Sequence, residues 1–176
     1  EGDSGTQDND ITSDVTTTTA PTSGEMETAI LKSIEQILGF KDDQGEPSNE
    51  EAREFLIVVP VPFMRAAASA IGSEIVLDSS SASHTNTIKT MGSIGGFNIR
   101  MAVNTRLAAW TTKFATFRTD AETKALIRQE EQGVTVAAIA EGSELEFKEN
   151  KHQYGVKAIR NVGFGHWQRA CLTTFV

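Results

Sequence analysis

The run Phe55-Leu-Ile-Val-Val59 constrains this chain more than any other stretch. Five successive apolar residues, mostly β-branched and stopped by Pro60, are too few for a helix and too apolar for a surface. They read as a buried strand with both faces covered. After Pro60-Val-Pro62, the alanine-rich stretch Phe63–Ile71 is closed by Gly72 and reads as a helix with Pro62 in its first turn. Strand, short connection and helix point to mixed α and β layers, not to a bundle or a sandwich.

A second element is as clear. Thr22 and Glu25 stand at capping-box spacing, with Pro21 before them. Met26, Ile30, Ile34 and Ile37 then recur at helical spacing, with Ala29, Leu31 and Leu38 widening the stripe. Gly39 supplies the stop, so the pattern predicts an amphipathic helix over about residues 23–38. Residues 1–22 are polar and lack apolar periodicity, which predicts an extended or disordered arm in which only Thr16–Thr19 suits a strand. Lys41–Pro47 reads as a polar turn and residues 78–96 as a Ser/Thr/Gly-rich loop. Phe97–Val103 alternates as a strand. Trp110–Arg118 reads as another, followed by a turn at Thr119–Thr123 and a returning strand at Lys124–Glu131. Tyr154–Phe164 alternates again, and Trp167–Val176 is apolar enough for an edge or closing strand.

Charge is unevenly placed. Residues 1–54 carry 14 acids and 3 bases, whereas residues 55–176 carry 10 acids and 13 bases scattered singly. Phosphate binding needs clustered Lys and Arg, so specific nucleic-acid binding is disfavoured. An acidic and a mildly basic end can instead meet head to tail between subunits. No apolar run approaches the ~20 residues that span a bilayer. No leader pattern opens the chain, and a start at Glu1 without Met reads as a processed or partial product.

The chemistry-bearing residues do not assemble into a motif. His84, His152 and His166 are far apart and in no ligand spacing. Cys171 is the lone cysteine, which excludes an intrachain disulfide, and it reads as a small buried apolar residue. His166 lies five residues before it, a spacing that on a strand faces the two apart. Gly92-Ser-Ile-Gly95-Gly96 lacks the Lys-Ser/Thr of a phosphate loop and reads as a tight turn into the next strand. Asp42-Asp43-Gln44-Gly45 lacks the ligand alternation of a calcium loop. The expectation is no catalytic, cofactor or metal residue. Trp110 and Trp167 are the candidates for subunit contact, against a competing role in core packing.

The order of these elements resembles a known family. Lys41–Pro47, Leu56–Pro60, Ile127–Glu131 and Tyr154–Ala170 carry the likeness, and the opening Gly2-Asp-Ser-Gly with Asn9-Asp adds to it. In this order and spacing the chain resembles the major head subunit of Mu-like phages, over its C-terminal part. The resemblance implies the α+β Hong Kong 97 capsid fold: an axial domain with a mixed sheet flanked by helices, and a peripheral domain with a spine helix and strands. It implies an arm at residues 1–22, spine helix and connection at 23–54, axial domain at 55–140, and return strands to the periphery at 141–176. The implied function is that of a structural, non-enzymatic subunit in the virion, present in the host cytoplasm during assembly. It would join itself in hexamers and pentamers around an icosahedral shell, with scaffold or decoration proteins as further partners. DNA would be enclosed without specific binding; apart from the resemblance, the net charge of −8 suits a wall past which DNA slides without sticking. An encapsulin-type compartment shares the fold and is the alternative. A decoration module and a small hydrolase using His84 or His166 are weaker ones.

Overall fold

The computed structural model describes residues 8–78, 80–139 and 141–176. Part of the arm, with the opening Gly2-Asp-Ser-Gly string, therefore lies outside the described residues. Two units emerge from the packing, Glu1–Ala125 with His166–Val176, and Leu126–Gly165.

The first unit is built on a five-stranded mixed sheet. Its strands are β1 (Asp10–Ser13), β2 (Glu54–Val59), β5 (Asn98–Val103), β6 (Lys113–Arg118) and β9 (Ala170–Phe175), in the order β1-β9-β6-β2-β5. A small antiparallel pair, β3 (Ile75–Leu77) and β4 (Ser83–Thr85), stands apart from it. The apolar run of 55–59 is β2, parallel to β5 and antiparallel to β6. Its alternate residues Phe55, Ile57 and Val59 are fully buried. Leu56 and Val58 on the other face are only half-buried, so one face is covered and not both.

The covered face is packed by α1 (Ser23–Gly39), α2 (Met64–Gly72) and α3 (Thr87–Gly95). Helix α1 starts as its sequence predicts. The Thr22 hydroxyl accepts from Glu25 N, and the Glu25 carboxylate accepts from Thr22 N at 2.7 Å. Met26, Ile30, Ile34 and Ile37 form its buried stripe against Phe55, Phe114, Cys171 and Phe175. Gly24 lets α1 approach β3, because a Cβ there would lie 2.7 Å from Leu77 O. The helix thus shares one core with β2 and α2.

Several segments differ from their sequence reading. The loop expected over residues 78–96 contains β4 and α3. Asn86, fully buried, caps α3 by accepting from Ile88 N, while its amide donates to Ala70 O and Ser73 O. A Ser/Thr/Gly composition hid a helix that needs only one buried apolar residue, Ile88. Gly96, at φ +67, makes the turn expected from the glycine cluster, whereas Gly92 lies within α3. The arm supplies strand β1 at residues 10–13 and not at 16–19, because β9 offers a parallel edge to Ile11 and buries Ser13. Strand β9 is therefore interior, between β1 and β6, and not an edge. The strand expected to return from β6 pairs elsewhere.

That strand is β7 (Leu126–Ile139), which among the described residues pairs only with β8 (Gln153–Phe164), in the second unit. Their antiparallel ribbon is broken by register shifts at Glu130/Gln132 and Gln132/Thr135 and is joined through α4 (Glu144–Glu149).

Two outcomes follow from the core of the first unit. Phe55→Ala should cost about 3–5 kcal/mol in urea denaturation, since it empties a fully enclosed site. Burial pushes the Cys171 thiol up to about 12. Iodoacetamide at pH 8 should leave it unmodified in the folded chain and alkylate it once the chain unfolds.

Candidate subunit-contact surface

The histidines are dispersed in the fold. His84 on β4 places Nε2 2.8 Å from the Glu27 carboxylate, which is buried on α1 and also accepts from Thr87 N at the start of α3. The pair ties β4 and α3 to α1, a structural use of both side chains. His152 in the second unit lies 3.6 Å from Glu146. His166 N donates to Lys124 O at 3.1 Å, and its ring is exposed. Cys171 faces the core. Among the described residues no three His, Cys, Asp or Glu side chains converge as metal ligands, and no helix is long and apolar enough to cross a membrane.

Trp110 lies in the irregular segment before β6 and Trp167 opens a short 3-10 helix (Trp167–Arg169), not in strands as expected. Trp167 packs edge-on against Phe40, with centroids 5.0 Å apart, and borders the core. Trp110 is half-buried just before β6, with its backbone N–H donating to Leu107 O. The two are not brought together as one patch among the aromatic contacts.

The ribbon carries the stronger surface signal, one that neither tryptophan flagged. Cross-strand partners share a face in an antiparallel pair. The register therefore groups Leu126, Val136, Ala138, Tyr154, Val156, Val162 and Phe164 on one face, interrupted by Arg128, Glu130 and Arg160. Nearly every ribbon residue is exposed, and Phe164 is 94% exposed. A two-stranded hairpin is marginal in water, and among the described residues neither outer edge of this one has a strand partner. The alternating run of 154–164 held this signal, but alternation alone cannot say what covers a face.

A polar cluster occupies the other end of the chemistry. Asn49, fully buried before β2, donates from Nδ2 to Ile37 O (2.6 Å) and Gln168 O (2.9 Å). Its Oδ1 accepts from Arg118 Nη1 at 3.0 Å and from Arg169 Nη1. Arg118 Nε donates to Asp120 Oδ1 at 2.6 Å, and Asp120 Oδ2 accepts from Arg53 N and Glu54 N. Burial alone would raise the Asp120 carboxyl, but the hydrogen bond and charge of Arg118 and the two backbone donors outweigh it and hold the group below its ordinary range. Arg169 is shifted down by burial first and by Arg118 second, with Asp120 opposing.

Comparison with known proteins fits these observations. Residues 98–174 match the family model of the Mu-like prophage major head subunit gpT. Among solved structures, the capsid of Myoviridae Phage XM1 is similar with a TM-score of 0.56 and 11% identity, covering 97% of this chain and 52% of that one. Among curated proteins none matches this chain. The resemblance to Mu-like head subunits therefore holds over residues 98–174, and the α+β fold is similar to that of a phage capsid protein. The chain spans about half the length of the capsid chain it matches.

The Asp120 geometry makes stability depend on pH in a defined sense. A carboxyl held low in the folded chain contributes fully above the ordinary Asp pKa of about 4, and the contribution fades as pH falls past the folded value. Asp120→Asn should be less stable than the parent at pH 7. In urea denaturation at pH 7, 4 and 3, the gap between the two should narrow steadily.

Proposed function

We propose that this chain is part of a tailed-phage major capsid subunit that builds an icosahedral, DNA-enclosing shell and performs no catalysis. The observation that carries the reading is a coincidence. A head-subunit family match falls on residues 98–174, and those residues contain the whole exposed ribbon as well as three strands of a capsid-like sheet. An exposed apolar ribbon with open edges suits repeated contact with other polypeptide, which is what a shell subunit makes at every interface. Heterologous contacts of this kind close into hexamers and pentamers around symmetry axes. The virion is the site of action in this reading, and scaffold or decoration proteins remain further partners of it.

Within this reading, the sheet of the first unit, together with α1, is the axial part. The ribbon of 126–165 belongs to the peripheral part. The sequence resemblance implies a spine-helix role for α1; this reading assigns it to the axial part instead, supported by its apolar stripe packing on β6 and β9.

Electron microscopy of the full-length subunit, expressed with its neighbouring genes, tests the reading. Closed icosahedral shells are expected. A soluble monomer under every assembly condition would contradict it.

A further inference from the structure

The five-stranded sheet ends in two edges that carry opposite charge. Strand β1 closes one side and β5 the other, and among the described residues neither has a second strand partner. In a parallel pair, alternate residues of a strand turn their N–H and C=O toward the neighbour. Asn9 O accepts from Leu172 N and Ser13 O from Val176 N, while Val15 N donates to Val176 O. The outward backbone of β1 is therefore that of Asp10, Thr12 and Asp14, with Asp10 N taken by the Asp8 carboxylate at 2.9 Å. On the far side, Asn98 N and Asn104 N donate to Arg53 O and Val59 O, which turns Ile99, Met101 and Val103 outward. Residues 8–31 hold five acids and no base, whereas residues 80–119 hold five bases and no acid. Asp8, Asp10 and Asp14 are exposed along β1, and Lys89, Arg100 and Arg106 are exposed on β5 and the segments flanking it. Local partners do not use these charges up. Arg100 meets Glu54 at 3.1 Å, but both side chains are exposed and such pairs bind weakly. Asp10 accepts from the neutral Thr174 hydroxyl at 3.4 Å, and Lys113 lies two strands in from Thr12.

We propose that the β1 edge of one copy of this chain adds to the β5 edge of a second, so that the sheet continues between molecules. Strand β1 is parallel to β9, β9 antiparallel to β6, β6 antiparallel to β2, and β2 parallel to β5. Both edge strands therefore run the same way, and a rotation about an axis along the strands brings them together as a parallel pair. Different surfaces meet in this head-to-tail contact, so it repeats from copy to copy. Strand β1 has only four residues and offers few hydrogen bonds, which leaves the charges to contribute much of the binding. Charge on an edge strand ordinarily guards against pairing with another edge. Opposite charge on the two edges opposes β1–β1 and β5–β5 pairing while favouring β1 on β5. The contact involves no ribbon residue and does not rest on the shell-subunit reading.

Sedimentation velocity of the chain over a range of concentrations, at about 0.05 M and about 0.5 M sodium chloride, tests the contact. Species larger than a dimer are expected at low salt, with association roughly tenfold weaker at high salt as the charges are screened. Asp10→Lys with Asp14→Lys reverses one edge, and Arg100→Glu with Arg106→Glu reverses the other. Either variant alone should be monomeric, because its two edges then carry the same sign. An equimolar mixture of the two should associate again, since each edge now finds an opposite one on the other variant. Should a reversal shift the urea midpoint, Thr12→Pro decides instead. It removes an outward N–H and no hydrogen bond to β9, and association should weaken roughly tenfold. A chain that stays monomeric at low salt overturns the proposal. So does association that survives both reversals or Thr12→Pro, because it then runs through another surface such as the ribbon.

Discussion

The four hydrogen bonds of Asn49 hold the first unit together at its least forgiving point. One fully buried amide meets the last turn of α1, the approach to β9 and two arginines; the contacts to Ile37 O and Arg118 are buried and those to Gln168 O and Arg169 part-buried. An amide in that position has no alternative partners, so each of its neighbours is placed by it. Removing it would leave two carbonyls and two guanidiniums short of partners, each at a cost of about 1–3 kcal/mol. The sheet, the helix above it and the Arg118–Asp120 pair are therefore one mechanical assembly.

Much of this was legible from residue order. The capping box, the stripe of α1 and the run that became β2 carry strong local signals, and each formed where the spacing placed it. What failed was pairing. Nothing in Lys124–Glu131 distinguishes a partner in β6 from one in β8, because alternation sets a face and not a neighbour. The same holds for Trp167–Val176, whose position inside the sheet depends on β1, a strand the polar arm hardly advertised. Helix α3 was missed because its stability comes from the Asn86 cap and from tertiary contact with α2, not from intrinsic propensity.

The candidate sites show the same limit more sharply. Tryptophan content pointed to Trp110 and Trp167, yet Trp167 spends its ring on Phe40 and the core. The exposed apolar area sits instead on ordinary valines, with Tyr154 and Phe164, in the ribbon. Arg118 and Arg169, 51 positions apart in the numbering, are joined only by the fold. No spacing rule connects them, since their meeting depends on β6 and β9 lying side by side.

That adjacency has a kinetic side. Strand β9 pairs with β1 through Asp10 and Leu172, so the sheet is completed by segments from opposite ends of the numbered chain. Joining them closes a very long loop, and long-range pairing of this kind slows folding. Until it happens, β9 presents an unpaired edge on the side that β1 covers. A population of such molecules can stick to one another in unproductive registers. Completion of the sheet by β1 thus competes directly with association through that open edge.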